Sequence, residues 1–371
     1  MNRGNWQTAQ SILCVRLDSL GDVLLTTPAV RALKQSGSGR RITLLTSPSG
    51  AAAARLVPEI DEVIVYEAPW MKAGGERCGS SADRQTIGQL AARSFDAAVI
   101  FTVYSQNPLP AALFCFLADI PLRLAHCREN PYQLLTDWER EPEPEQLVRH
   151  EVRRQLDLVA TIGAACSDDR LRIRIPCEAQ RRVRRLSREI GLESSGSWVV
   201  MHPGSTAASR RYAPERFAAV ADHLCELGLQ VVFTGDESEQ GLIETIAMKM
   251  VSTPHSLCGR LDLAELAALI GIAPVLVSNN TGPVHVAAAV GTPVVDLYAL
   301  TNPQHTPWRV PHRVLYHDVP CRYCYRSICP EGHHNCLRLV GPEEVVRAVL
   351  EMLDETRGGS STRLVENEVG V

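Results

Sequence analysis

The chain has 371 residues, of which 45% are hydrophobic and 22% charged, and its formal net charge is −4 at pH 7. This composition excludes a disordered or fibrous chain, and the length suffices for two domains of ordinary size. The sequence has no long basic block, so DNA and RNA are not expected as partners. No apolar run approaches the ~18 residues of a membrane-spanning helix and no signal-peptide pattern is present, so we expect a cytoplasmic protein.

The first half of the chain alternates short apolar runs with amphipathic segments. Residues 11–17 predict a strand, and a turn at Gly21 leads into a predicted helix from Asp22 to Lys34. Three further apolar runs repeat the strand pattern, at residues 42–47, 61–67 and 95–102. Strands that alternate with helices favour a parallel sheet. We predict an α/β domain over residues 1–176.

The second half repeats this alternation more regularly. Predicted strands lie at residues 197–204, 229–235, 274–279 and 292–298, and predicted helices at 214–227, 239–250, 262–270 and 283–290. This order predicts a second doubly wound domain over residues 177–357, followed by a flexible tail over 358–371. Two such domains in tandem are expected to form a ligand cleft between the carboxyl ends of their sheets.

An Arg-rich stretch at residues 181–192 offers only Val183 and Leu186 as core positions. A solvated helix face is the favoured interpretation, and contact with acidic lipid at the inner membrane surface is the alternative.

Three loops that follow predicted strands carry polar side chains. In the first, RLDSLGD, Asp22 either caps the following helix or acts as a base, and local sequence alone favours capping. The second runs from His202 through Ser205 to Arg210. Its hydroxyl and Arg side chains suit a phosphate, with an incidental surface loop as an equal alternative.

The third loop, at residues 278–285, leads from a predicted strand into a predicted helix. Asn280 or Thr281 can cap that helix, and Pro283 suits its first turn. The free backbone amides and the helix dipole then form an anion site, which His285 could reach.

Other phosphate sites are excluded by missing motifs. The sequence has no G-x-G-x-x-G, no G-x-x-x-x-G-K-[ST] and no Asp-x-Asp pair. The remaining possibility is a site that binds a nucleotide diphosphate through Arg side chains and a helix end, without a metal ion.

The segments RLDSLGDVLLTTPAVRAL, HPGS with SRRYAPERF, TGDESEQ and NNTGPVHVAAAVGTPVV, in this order, resemble family 9 glycosyltransferases, the ADP-heptose:lipopolysaccharide heptosyltransferases. The resemblance covers roughly residues 11–353. It implies a GT-B fold of two Rossmann-like domains and an inverting transfer that requires no cofactor. It also implies a glycan or glycolipid acceptor on the first domain and a nucleotide-sugar donor on the second.

The resemblance also implies roles for single residues. Asp22 matches the family's catalytic base, and Glu239 matches a Glu that contacts the nucleoside. Arg210 stands where the family usually has a phosphate-binding Lys, and Ser205 belongs to the same loop.

Within the third loop, Thr281, Gly282 and His285 match the segment that holds the diphosphate. Asn280 departs from the Asp of many members, which leaves the helix-end anion site intact but changes the charge next to the donor.

Four cysteines cluster late in the chain, at Cys321, Cys324, Cys329 and Cys336. Their spacing permits a structural zinc site, but it is not that of a standard zinc finger, so packed or reversibly oxidised thiols are favoured. Two other functions stay open: a nucleotide-sugar epimerase or hydrolase on the same scaffold, and a zinc-stabilised binding module without catalytic activity.

Overall fold

The computed structural model describes residues 6–72, 79–192 and 198–366, with side chains as far as Thr356. The chain forms two compact units, Met1–Arg174 (unit 1) and Ile175–Val371 (unit 2), where the sequence predicts a boundary at 176/177. Within the described ranges, no helix has the length and apolar character needed to cross a bilayer.

Unit 1 is built on a six-stranded parallel sheet flanked by helices. Its strands are β1 (Ser11–Arg16), β2 (Arg41–Thr46), β3 (Glu62–Val65), β4 (Ala97–Ile100), β5 (Leu122–Cys127) and β6 (Asp137–Arg140). Its helices are α1 (Leu20–Gln35), α2 (Pro48–Ala54), α3 (Ser81–Ala91), α4 (Leu109–Leu117) and α5 (Glu151–Ala160). The strand order is β3-β2-β1-β4-β5-β6, which confirms the predicted doubly wound domain.

The order of this sheet reverses between β1 and β4. Both strands are buried, and they pair in parallel with Ile12 opposite Ala97. In open α/β sheets, ligands bind beyond the carboxyl ends of the strands at such a reversal. The loop after Arg16 and the loop after Ile100 therefore occupy the position where this fold builds a site.

Unit 2 contains a second six-stranded parallel sheet. Its strands are β7 (Trp198–His202), β8 (Gln230–Phe233), β9 (His255–Ser256), β10 (Leu276–Asn279), β11 (Val294–Leu297) and β12 (His312–Leu315). Its helices are α6 (Cys177–Glu189), α7 (Pro214–Glu226), α8 (Gln240–Ala247), α9 (Leu263–Ile272), α10 (Gly282–Val290), α11 (Asn335–Arg338) and α12 (Pro342–Glu366).

The strand order of unit 2, β12-β11-β10-β7-β8-β9, reverses between β7 and β10. The two strands pair with Leu276 opposite Val200 and Ser278 opposite His202. The second and third polar loops of the sequence leave the sheet at these two strand ends, so the fold brings them to one edge.

Two segments differ from the sequence prediction. Residues 103–135 carry no predicted strand or helix, but they contain α4 and β5, whose strand pattern is interrupted by Arg123 and His126. Residues 358–371 are expected to form a loose tail, but α12 continues through Glu366, and 367–371 lie outside the described residues. The earlier turns of α12 are buried in the core of unit 2, so each further residue extends a helix that has already nucleated.

Candidate active site

The first turn of α1 carries the predicted base, Asp22. Ser19 occupies the N-cap position, and its backbone N–H and Oγ donate to Asp22 Oδ2 at 3.2 and 2.7 Å. The capping role favoured by local sequence is therefore present. The Asp22 side chain is nevertheless 19% exposed, so its carboxylate remains accessible to a reacting group.

A buried guanidinium organises the carboxylates around this turn. Arg16 is 0% exposed at the end of β1 and contacts three carboxylates: Nε lies 3.0 Å from Asp18 Oδ2, Nη2 lies 3.2 Å from Asp22 Oδ1, and Nη1 lies 2.9 Å from Glu151 Oε1. Burial alone would lower the pKa of Arg16, but the three carboxylates raise it above its ordinary value. Arg16 therefore stays charged and holds the carboxylates in place.

Asp18 occupies a different environment from Asp22. Its side chain is 9% exposed, and Gln106 Nε2 donates to its Oδ1. Burial raises the pKa of Asp18 to about 6, with the Asp22 charge adding to the rise while Arg16 opposes it. Asp18 therefore holds a proton more readily than an ordinary aspartate does.

Asp18 also lines a cavity of about 340 Å³ at the reversal point of the unit 1 sheet. Its polar lining includes Thr102, Ser105, Gln106 and Asn107, and Trp70 contributes an aromatic wall. A cavity with an apolar wall and a few convergent polar groups is typical of small-molecule sites.

In unit 2, Asn279 ties the loops after β7 and β10 together. Its Nδ2 donates to the carbonyl of Pro203 at 2.7 Å, and its Oδ1 accepts from the backbone N–H of Tyr212 at 3.0 Å. Asn279 is fully buried. The buried amide thereby fixes both predicted phosphate-binding loops to the same strand end.

The amino terminus of α10 begins where the sequence predicts it. Thr281 is the N-cap, Gly282 opens the helix, and a proline occupies its first turn. His285 lies on the same turn with 5% of its surface exposed. The first-turn amides and the positive end of the helix dipole suit a phosphate group.

The loop after β7 contributes a cation and a fixed backbone. Arg211 Nε donates to the carbonyl of buried Ser205 at 2.7 Å, and Ser209 Oγ donates to the carbonyl of Arg326 at 2.7 Å. No described side chain pairs with Arg210, although its charge acts on the buried carboxyl of Asp296. Arg210 is thus available to a ligand anion.

Glu239 lies close to the same loop. Its Oε2 accepts from the backbone N–H of Asp236 at 3.0 Å, and a Cβ at position 204 would overlap its carboxylate, so Gly204 leaves room for the carboxylate in this position. His202 Nε2 lies 3.7 Å from Glu239 Oε2. Burial lowers the pKa of His202 to about 4, so this imidazole is neutral at pH 7. Burial also raises the pKa of Glu239.

The side chain of Asn280 is held by hydrogen bonds to a buried carboxyl group and a backbone carbonyl. Its Nδ2 donates to Asp296 Oδ2 and to the carbonyl of His305, both at 2.8 Å. Asp296 is fully buried, and this burial raises its pKa to about 8, against the opposing effects of Asn280 and Arg210. Asp296 is therefore largely uncharged at pH 7, which limits repulsion of an anion bound nearby.

The model of glycosyltransferase family 9 (heptosyltransferase) matches residues 84–334 of the chain. The chain belongs to glycosyltransferase family 9. It is a glycosyltransferase, which favours the main interpretation of the sequence over an epimerase or a binding module.

Individual relatives extend this finding. Lipooligosaccharide heptosyltransferase 2 of Haemophilus ducreyi is 22% identical over 357 residues, covering 92% of this glycosyltransferase and 99% of that protein. Lipooligosaccharide heptosyltransferase 2 of Campylobacter jejuni is 26% identical over 159 residues, which span 41% of this chain and 50% of that protein. The structure of E. coli ADP-heptose lipopolysaccharide heptosyltransferase II matches with a TM-score of 0.73 and 21% identity, covering 94% and 99% of the two chains. The structural match confirms the predicted GT-B fold.

The structure brings together all the site residues that the sequence places in unit 2. Loops at the carboxyl ends of β7, β8 and β10 carry them: Ser205, Arg210, Glu239, Asn280, Thr281, Gly282 and His285. Asp22 belongs to unit 1 and is grouped there with Arg16. The roles of these residues remain predictions.

Four residues of the candidate site were not predicted from the sequence: Arg16, Asp18, Glu151 and Asp296. Arg16 and Asp296 each interrupt an otherwise apolar strand near its carboxyl end, a pattern that points to a buried charge with a specific partner. No local pattern marks Glu151, because it lies at the start of α5, far from Arg16 in the sequence.

The four clustered cysteines of the glycosyltransferase are Cys321, Cys324, Cys329 and Cys336, and all carry free thiols. Cys321 Sγ lies 3.8 Å from His333 Nε2, but over the described parts of the chain no three His, Cys, Asp or Glu side chains are grouped to hold a metal. Cys321 and Cys336 instead pack against buried Tyr298, Leu300 and Val319. The structure therefore does not form the zinc site that the spacing permitted.

Proposed function

We propose that this glycosyltransferase moves a heptose from ADP-heptose to a sugar of a lipopolysaccharide or lipooligosaccharide core, with inversion at the anomeric carbon and without a metal ion. The observation that carries the proposal is the position of Arg210 and of the first turn of α10, both at the reversal point of the unit 2 sheet, where they suit an anion. The similarity to lipooligosaccharide heptosyltransferase 2 of Haemophilus ducreyi and to E. coli ADP-heptose lipopolysaccharide heptosyltransferase II supports the choice of sugar and nucleotide.

In this proposal the donor lies on unit 2. The diphosphate accepts hydrogen bonds from the amides at Thr281 and Gly282 and from the guanidinium of Arg210, with Ser205 and His285 beside it. Glu239 binds the nucleoside. Negative charge grows on the diphosphate as the sugar leaves, so fixed donors stabilise the transition state more than the bound substrate.

Asp22 acts as the general base on unit 1. An acceptor hydroxyl attacks the anomeric carbon, its oxygen forms the new glycosidic bond, and the bond from that carbon to the phosphate oxygen breaks. The hydroxyl proton goes to Asp22, and the electron pair of the broken bond leaves with ADP. Arg16 and Ser19 hold the carboxylate in one orientation, which a general base requires.

The proposal also covers where the substrates bind and where the reaction takes place. We assign the acceptor to unit 1 and the nucleotide-sugar to unit 2. We place the enzyme in the cytoplasm, with peripheral contact at the inner membrane surface for a lipid-linked acceptor. Nucleic acid has no role in it.

The test is a transfer assay with purified enzyme, ADP-heptose and deacylated lipopolysaccharide core that ends before the added sugar. We expect a product heavier by one heptose and release of ADP that depends on the acceptor. ADP release at the same rate without acceptor would indicate a hydrolase. Greater thermal stabilisation by UDP or GDP than by ADP would contradict the choice of nucleotide.

A further inference from the structure

We propose that the cavity of unit 1 binds a neutral, hydroxyl-rich sugar of the acceptor, and that Asp18 accepts hydrogen bonds from its hydroxyl groups. The inference rests on the proposed function, and it adds the chemical class of the acceptor sugar and one residue that selects it.

The charge of the cavity wall favours a neutral ligand. No Lys or Arg occurs among the described residues that line the cavity, whereas Asp18 places a carboxylate on it. The buried Arg16 contacts Asp18, Asp22 and Glu151, so three carboxylates outnumber its single positive charge, and a sugar acid or a phosphate bound in the cavity would be repelled. A neutral sugar avoids this repulsion, because its hydroxyl groups donate to the carboxylate.

The remaining wall of the cavity combines an aromatic ring with polar side chains. Trp70 is half-buried and fixed by Phe114, whose ring centroid is 5.0 Å away in an edge-on arrangement. The polar part of the wall comes from Ser105, Gln106 and Asn107, which offer hydroxyl and amide groups. A sugar ring has both an apolar face and hydroxyl edges, and it matches such a mixed wall.

Asp18 lies beside the proposed base. The Nε and Nη2 atoms of Arg16 form one edge of a planar guanidinium, and they contact Asp18 and Asp22 respectively. The two carboxylates are therefore neighbours on one cation. A sugar whose hydroxyl donates to Asp18 is then bound next to the residue proposed to take the proton.

Asp18→Asn tests the assignment, and Glu143→Gln is the matched control. Both variants neutralise a carboxylate that pairs with an Arg, but Glu143 is fully buried, pairs with Arg149 at 2.6 Å and does not line the cavity. We expect Asp18→Asn to raise the acceptor KM by ~10-fold or more while the affinity for ADP stays unchanged. Glu143→Gln should lower the melting temperature with an acceptor KM within ~2-fold of wild type. Equal acceptor KM changes in the two variants would overturn the proposal.

Binding of simple probes gives a readout that does not depend on transfer. Saturation-transfer NMR should show contact of the wild-type enzyme with methyl heptoside and none with glucuronic acid, and Asp18→Asn should lose the contact with methyl heptoside. Binding of glucuronic acid in preference to methyl heptoside would overturn the proposal. The NMR result decides it even where the transfer assay contradicts the proposed function.

Discussion

Arg16 Nη2 donates to Asp22 Oδ1 across 3.2 Å, so a fully buried cation on β1 orients the carboxylate at the start of α1. Asn keeps the size of Asp22 and its capping ability but cannot take a proton. We predict that Asp22→Asn lowers the transfer rate by ~10²- to 10⁴-fold with little loss of stability or ADP binding. Single-turnover kinetics, thermal unfolding and ADP titration measure the three quantities. Near-normal turnover in the variant would show that Asp22 only caps.

Arg210 is predicted to bind the donor diphosphate. Arg210→Ala should weaken ADP binding by about 1.5 to 3 kcal/mol, or ~10- to 100-fold, because a charge-assisted contact is lost. Arg211→Ala is the matched control, since the side chain of Arg211 already donates to the carbonyl of Ser205. Calorimetric titration with ADP measures both. A larger loss in the Arg211 variant would transfer the phosphate contact to that residue.

Gly204 allows Glu239 to approach the loop after β7. In Gly204→Ala the new methyl group would displace the Glu239 carboxylate, so we expect weaker binding of ADP than in wild type. Gly241→Ala adds the same methyl group on α8, where the space around it is open, and should leave ADP binding unchanged. Titration of both variants with ADP and with inorganic pyrophosphate separates the nucleoside from the phosphates. A loss of pyrophosphate binding as large as that of ADP would contradict a nucleoside role for Glu239.

His202 makes the fold sensitive to acid. Burial lowers the pKa of His202 to about 4, whereas an unfolded His titrates near about 6.5. Between these values the unfolded chain binds a proton that the folded chain does not, so stability falls as pH falls from about 6.5 to about 4. His202→Gln should flatten this part of the curve, measured by thermal unfolding at several pH values. His223→Gln, on the exposed face of α7, is the control, and an equal flattening there would refute the assignment.

The proposed mechanism uses Arg210 and a helix end in place of a divalent ion. We expect EDTA to leave the transfer rate unchanged over minutes. Slow inactivation over hours with unfolding would instead reveal a structural metal at the four cysteines, which elemental analysis of the purified enzyme would detect.

The sequence predicted the loops that carry the site, because Gly, Pro, hydroxyl and Arg residues directly follow apolar runs. The segments after residues 202 and 279 meet in the structure because both follow neighbouring parallel strands, whose exits share an edge. Asn279 connects those segments, but the sequence does not distinguish it from the other polar residues of the same loop.

The network around Arg16 could not be predicted locally. Glu151 contacts Arg16 across 135 positions of the sequence, and only the packed fold brings them together. Asp18 accepts a hydrogen bond from Gln106, which belongs to the loop after β4. The proton affinity of Asp18 is therefore a property of tertiary structure.

The two sheets share one design, in which the first and fourth strands of each unit carry its polar loops. If the proposed roles hold, the residues that select the nucleotide and those that select the acceptor belong to separate segments of the polypeptide. Mutations can therefore change one specificity and leave the other intact. Exchanging the segments that follow β1 and β4 with those of a relative would then redirect the enzyme to a new acceptor while it retains its donor.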